Sequence, residues 1–394
     1  PMQHIVTALA VWTAIHHLFF LLVAVRTVRG VPLLDDVRAP EPPRWPRVSL
    51  IVAACNEEDS LEAAVQTRLA EGYPHLEVVL VEDRSTDRTP AIVDRLARED
   101  PRVKVVHITT LPEDWLGKLH AMHRGVEVAT GEWLLFTDAD IHFAPGTLRS
   151  VIAACEARGY DHASVMPRFL ARKSLLLDAA IDAFIGLLCG GGRLWAVGDP
   201  KSSAAVGGGM FNLVRRSAYD RTEGFAWLKM EVADDVVLGQ MLKLAGARPA
   251  VFNARNFVTL GFYETPMEMA RGLEKTGYAV IGQFNLAVLA MVSAVLLGAA
   301  WGPFIALAFG SSAWVRVAGA VGVVAFTITS AIYARWCGRR VGPAILSPFG
   351  MVFLVWCALR SAWLAIKRRG IMWRGTLYPT EKLKAGRRFT LMPR

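Results

Sequence analysis

Gly131-Glu132-Trp133-Leu134-Leu135-Phe136-Thr137-Asp138-Ala139-Asp140 is the stretch on which the reading of this chain turns. Trp133 to Phe136 is an unbroken apolar run, the pattern of a strand buried on both faces, and it stops at two carboxylates separated by one small residue. Aspartates at i and i+2 beside a buried strand repel each other unless a cation lies near them, and a divalent ion meets that need. In an open α/β sheet the carboxyl ends of the strands are also where ligands bind. Capping of the following turn is the plainer reading of the same pair.

Upstream, apolar runs alternate with helical patterns. Strands are predicted at Val48–Ala53, Glu77–Val81 and Val103–Ile108, with helices at Glu58–Glu71, Asp87–Glu99 and Leu116–Ala129. Repeated strand–helix units with apolar strands imply a mostly parallel, Rossmann-like α/β sheet with helices on both faces. Downstream, a helix is expected over Pro145–Arg158, a short strand over Ala163–Pro167 and an apolar helix over Leu175–Leu188 that carries Asp178 and Asp182. Glycine runs at 190–192 and 207–209 then bracket a loop region. No G-K-[ST] follows Gly207–Gly209, so it is not a phosphate loop of that type.

Composition divides the 394 residues further. Ile5–Val25 is free of Asp, Glu, Lys and Arg for 21 positions, long enough to cross a bilayer. Arg26 and Arg29 follow this segment, and no basic residues precede it, which fits a retained anchor with a cytoplasmic C-terminal end. Gly277–Ala334 holds one charge, Arg316, and Val341–Leu359 holds none. The expected organisation is an anchor at 1–29, a Pro-rich linker at 30–46, a catalytic domain at 47–265, an interfacial amphipathic helix at 266–278, a transmembrane region at 279–369 and a basic cytoplasmic tail at 370–394.

The net charge of +9 is concentrated at the C-terminal end, where residues 335–394 carry 13 Lys/Arg against Glu381 alone. Such a tail suits anionic lipid head groups, and the middle of the chain has no basic stripe for nucleic acid. The five cysteines show no metal or redox spacing and read as small buried residues of a reducing compartment. His120 and His123 lack a third ligand for zinc, and His142 reads as a turn residue. His16 and His17 are expected to face protein or the interface.

Four acidic or polar segments fall at the same end of the predicted sheet: Cys55-Asn56-Glu57-Glu58, Glu82 to Asp87, Asp138 with Asp140, and Asp234-Asp235 at the start of a helix running to Leu244. Together with Gly117-Lys118 opening a helix and Leu238-Gly239 after the acidic pair, this ordered set over residues 47–265 resembles the family 2 glycosyltransferases of GT-A fold. The ending Trp373-Arg374-Gly375-x-x-Tyr378 is similar to the tails of membrane-bound relatives that glycosylate lipids.

The resemblance implies an inverting transfer of one sugar from a UDP-linked donor to a lipid at the cytoplasmic face of the inner membrane. It assigns Asp235 as general base with Asp234 beside it, and Asp140 with Asp138 as ligands of Mg²⁺ or Mn²⁺. Asn56, Glu57, Asp83, Lys118 and Asp138 are expected at the nucleotide-sugar donor. Gly208, Gly209, Arg215, Arg216, Trp373 and Arg374 are expected at the acceptor. The chain contains no Q-x-x-R-W motif, which counts against the alternative of a processive polysaccharide synthase. Carboxylates at every expected position count against a further alternative, an inactive membrane scaffold. A cytoplasmic catalytic domain and tail also require an even number of crossings, whereas three apolar stretches follow residue 280, at about 280–308, 317–334 and 343–366. The sequence therefore leaves one stretch re-entrant or interfacial, or the first split at Gly302-Pro303.

Overall fold

The computed structural model describes residues 2–170 and 174–389, and the chain separates into two compact units. The larger unit comprises 31–168, 196–261 and 373–394. Its centre is a seven-stranded sheet of β1 (Val48–Ala54), β2 (Leu76–Asp83), β3 (Val103–Ile108), β4 (Trp133–Thr137), β5 (His162–Met166), β6 (Asn212–Arg215) and β7 (Pro249–Asn253), in the order β3-β2-β1-β4-β6-β5-β7. The first four strands pair in parallel, as their apolar runs predict, and β1, β2 and β4 are buried along nearly their whole length. Helices α1 (Leu61–Leu69), α2 (Thr89–Glu99) and α3 (Gly117–Val128) form the crossovers; α4 (Thr147–Arg158) and α5 (Asp234–Leu244) follow.

Strand register brings distant segments to one edge. Ala54 lies opposite Glu82, and Val52 opposite Thr137, so the loops after β1, β2 and β4 leave the sheet together. β6 runs antiparallel to both neighbours, with Phe136 opposite Asn212 and Trp133 opposite Arg215. The glycines before β6 therefore come to the Asp138 edge, and the arginines at its end go to the other.

The expected linker is packed rather than free. Asn253 N–H donates to the Pro32 carbonyl at 2.8 Å, and the Tyr73 hydroxyl donates to the Pro46 carbonyl at 2.7 Å, with Trp45 edge-on to Tyr73. The basic tail is also part of this unit as far as it is described; residues 390–394 lie outside the described residues. Lys382 pairs with Asp114 at 2.9 Å, Arg388 lies over the Trp227 ring, and Glu231 accepts from the Phe389 N–H at 2.7 Å. These basic residues meet protein acids and an aromatic face, after a short hairpin of Gly370–Trp373 and Thr376–Pro379. Arg374 and Gly375 at its tip have φ of 46° and 77°, as a tight two-residue turn requires.

The second unit comprises 1–30, 169–195 and 262–372. Among the described residues, five helices are long and apolar enough to cross a membrane: Gln3–Gly30, Leu175–Ala196, Leu286–Phe309, Ala313–Trp336 and Ser347–Arg368. The domain expected over 47–265 is thus interrupted at 169–195, whose helix is as apolar as the later ones. The first apolar stretch, for which the sequence leaves a split at Gly302-Pro303 as one alternative, is one continuous helix with Pro303 inside it. The interfacial helix expected over 266–278 is broken into Pro266–Gly272, Glu274–Thr276 and a π-helical turn at Gly277–Ile281, with Met269 and Ala270 buried and Met267 exposed. His17 faces protein, within hydrogen-bond distance of the Ala299 carbonyl at 2.9 Å. All five cysteines are free thiols.

Candidate active site

β4 delivers Asp138 and Asp140 to the common edge, and the loop before β6 closes against them. Asp138 N–H donates to the Gly209 carbonyl at 2.7 Å, and any Cβ at Gly209 would strike the Asp138 carboxylate. A Cβ at Gly207 would likewise strike the Asp235 carbonyl. The glycine run is therefore a consequence of close packing between this loop, the β4 turn and the start of α5.

Lys118 lies at the centre of the cluster. Its Nζ is 3.0 Å from Asp138, 3.2 Å from Asp234 and 3.5 Å from Asp235, and its side chain is 16% exposed. Burial disfavours the ammonium, but Asp138, Asp234 and Asp235 together hold its pKa well above the usual lysine value. Three carboxylates from β4 and α5 thus share one cation from the first turn of α3. Burial, reinforced by the charge of Asp138, raises the Asp140 carboxyl above its ordinary value, with Arg68 and Arg374 opposing. Burial also raises Glu57, with Asp140 and Asp138 adding to the effect and Arg374 opposing it.

The loops after β1 and β2 are stitched together. Asn56, at φ 55°, accepts from Thr86 N–H through its side-chain oxygen at 2.8 Å, Thr89 accepts from Glu57 N–H at 2.8 Å, and Asp87 accepts from Glu58 N–H at 3.1 Å. The Asn56 oxygen is committed to this loop contact. Asp83 is 3% exposed and grips Arg84 through both oxygens, at 2.7 and 3.1 Å. Arg374 forms an ion pair with Glu57 and donates to the Cys55 carbonyl at 3.4 Å, and the Tyr378 hydroxyl accepts from Gly117 N–H at 3.0 Å. The expected acceptor residue Arg374 accordingly meets a residue expected at the donor. Trp373 is 6.5 Å from Tyr378 between ring centroids.

Arg215 and Arg216, expected at the acceptor, do not lie at this edge. Arg215 stacks 4.4 Å over Trp133 and pairs with Glu156 at 3.1 Å and Asp161 at 3.4 Å. Arg216 donates to the carbonyls of Gly131 and Ala129 at 2.7 and 2.8 Å. Antiparallel β6 carries them to the opposite end of β4 from Asp138. Arg68 and Arg84 have no role in the sequence-based expectations, and Tyr378 enters them only as part of the tail motif. Arg68 alone left a signal: it is a charge on the inward face of α1, among Leu61, Ala64, Val65 and Leu69.

The donor set at Asp138 and Asp140 fits a small divalent cation. Mg²⁺ and Mn²⁺ commonly take one or two protein carboxylates and complete their shells with substrate phosphates and water. Among the described residues no group of three or more His, Cys, Asp or Glu side chains is arranged to hold a metal by itself, so a bound ion would need ligands from the substrate. His120 and His123 lie against Trp115 and form no such group.

A mostly parallel sheet that gathers carboxylates from several loops at one edge is the architecture of the GT-A glycosyltransferases. Residues 49–178, which hold the loops after β1, β2 and β4, match the model for Glycosyl transferase family 2. A beta-monoglucosyldiacylglycerol synthase of Synechocystis is 37% identical over 31% of this chain and 25% of its own length. A succinoglycan biosynthesis protein of Rhizobium meliloti is 35% identical over 29% of this chain and 31% of its own. These matches thus span only a quarter to a third of each relative. A mannosyltransferase of Pyrobaculum calidifontis, solved with GDP-Man and Mn²⁺, shares the fold at a TM-score of 0.55 and 21% identity, over 91% of this chain and 99% of that one.

Proposed function

We propose that this protein is a membrane-embedded, inverting glycosyltransferase that moves one sugar from a UDP-linked donor to the hydroxyl of a membrane lipid, at the cytoplasmic face of an inner membrane. The observation that carries the reading is the meeting of Asp138, Asp234 and Asp235 around Lys118. A lipid acceptor is supported by the diacylglycerol-glycosylating relative and by five long apolar helices in the same chain. The two half-buried helices, Leu175–Ala196 and Ser347–Arg368, are assigned as the ones that do not cross, since the other three bury only 28–33% of their most apolar window.

The acceptor hydroxyl attacks the anomeric carbon on the face opposite the leaving diphosphate and gives its proton to an Asp235 oxygen. The bond to the diphosphate oxygen breaks, the electron pair leaves with the nucleotide, and the anomeric configuration inverts. Asp234 holds Lys118 in place, and the Lys118 ammonium offers positive charge to the diphosphate. Asp140 and Asp138 would hold Mg²⁺ or Mn²⁺, which when bound supplies Lewis-acid stabilisation of the leaving group. Asp83 takes the base and ribose, and Asn56 and Glu57 line the same pocket. Gly208, Gly209, Trp373 and Arg374 border the acceptor.

The deciding experiment compares lipid extracts, by mass spectrometry, from cells making the wild-type protein and cells making Asp235→Asn. One new monoglycosylated lipid present only with the wild type is expected. A ladder of polymer products would favour a processive synthase, and identical lipid profiles would reject the transfer proposed.

A further inference from the structure

The turn that follows β4 has a polar floor. Arg68 is 0% exposed, projects from the last turns of α1, and is the only charged residue among the buried residues of that helix. Its Nε donates to the Ile141 carbonyl at 3.0 Å, and one Nη donates to the carbonyls of Asp138 at 2.7 Å and Ala139 at 3.2 Å. Three of the four carbonyls from 138 to 141 therefore converge on one side chain. The second Nη is buried with no hydrogen-bond partner, and the Phe143 ring lies 5.9 Å from the guanidinium carbon.

A buried arginine is costly, and burial without a matched carboxylate is rarer still. The arrangement is explained by what it holds. Peptide carbonyls turned inward need donors, and a planar fork satisfies several at fixed angles where an ammonium acts as a point charge. Fixing those carbonyls fixes the backbone from which the Asp138 and Asp140 side chains leave. The positive charge beneath also offsets part of the repulsion between the two carboxylates.

We propose that Arg68 is a positioning residue that presets the Asp138–Ile141 turn to receive a divalent cation and a nucleoside diphosphate before either binds. It touches neither ligand and acts through the turn. The inference rests on the donor-and-metal reading of the site given above.

The test uses the full-length protein in detergent micelles, with Mn²⁺ binding followed by electron paramagnetic resonance with UDP, or GDP in parallel, present or absent. Both Arg68→Lys, which keeps the charge, and Arg68→Met, which keeps the bulk, should weaken nucleotide-dependent Mn²⁺ binding about 10- to 100-fold, the usual cost of disturbing the support of a metal ligand. Nucleotide binding in EDTA should stay within about twofold of wild type. An Arg68→Lys protein that binds Mn²⁺ like wild type overturns the proposal, and so does parallel loss of metal-independent nucleotide binding, which would mark a general folding role.

Should neither variant fold, hydrogen exchange on the wild type decides. Amides of 139–142 are expected to be protected without ligand and unchanged when Mn²⁺ and nucleotide are added; exchange that slows only on binding overturns the proposal. A wild type with no nucleotide-dependent Mn²⁺ binding removes the donor-and-metal reading and this inference with it. A wild type that binds, beside variants that match it, removes this inference alone.

Discussion

Lys118, partly buried, and Arg339, buried, each lie against neighbouring aspartates, Asp234 and Asp235 in one unit and Asp178 and Asp182 in the other. Arg339 meets Asp182 at 2.5 Å and Asp178 at 3.1 Å and donates to the Phe169 carbonyl at 3.1 Å, and Arg340 pairs with Asp178 at 3.6 Å, so two cations face two carboxylates; Arg339, Asp178 and Asp182 are at most 5% exposed. A planar fork is matched to acceptors around it, and such a cluster locks helices and loops together. At Lys118 the arrangement is more open: among the described residues three carboxylates lie around one ammonium, and Asp235 keeps 32% of its side chain exposed. A carboxylate cluster partly open to solvent can exchange a proton or meet a ligand, whereas a closed cluster cannot. That difference separates a site from a brace more reliably than the presence of buried charge.

The comparison breaks most visibly if Asp235 proves dispensable. Asp235→Asn should lower transfer about 100- to 10,000-fold while donor binding, measured by calorimetry, is retained. Unchanged turnover would make the Lys118 cluster a brace as well. Arg339→Met should leave two buried carboxylates without their main cation and cost about 3–5 kcal/mol, read as a fall in the denaturation midpoint in detergent. Replacing Asp178 and Asp182 by Asn in the same protein should restore part of that loss.

Glu71 extends the comparison to a buried carboxylate held mainly by backbone. It is 2% exposed, accepts from the Leu148 N–H, and has a second oxygen with no hydrogen-bond partner. Burial raises its pKa to about 7. Because that value lies above the unfolded one, the neutral form stabilises the fold most at acid pH, and the contribution is lost as pH rises through about 7. Stability should fall on the order of 2 kcal/mol between pH 5 and pH 8, and Glu71→Gln should flatten the melting temperature over that range. The smallest effect is expected at the far end of β4. Arg215→Ala should cost about 1 kcal/mol of stability through its stacking and ion pairs and leave the acceptor KM within about twofold. A large rise in acceptor KM would return Arg215 to the site.

Much of the catalytic unit was legible because its signals are local. β3 and the helix Asp234–Leu244 fall where the apolar runs and the acidic start place them, and the other crossover elements differ by a few residues at their ends. The carboxylates after β1, β2 and β4 were found because parallel strands with similar lengths bring their C-terminal loops to one edge. The misplacements share a cause. No local pattern shows that β6 runs antiparallel and carries Arg215 and Arg216 away from Asp138, and charge alone does not show that the hairpin at Arg374-Gly375 turns the tail's basic residues onto Glu57, Asp114 and Trp227.

Periodicity and composition of this chain determined which residues are buried, which segments are apolar enough for a bilayer and which strands end in acid. They do so because burial and polarity are properties each residue carries into any fold. The tertiary structure decided that Lys118 joins Asp138 to Asp234 and Asp235, that Arg68 lies beneath the Asp138–Ile141 turn, and that Leu175–Gly191 packs with the later apolar helices. Those choices are settled by competition among segments tens to hundreds of residues apart, where strand direction and the reach of one side chain select the partner, and no local pattern records the outcome.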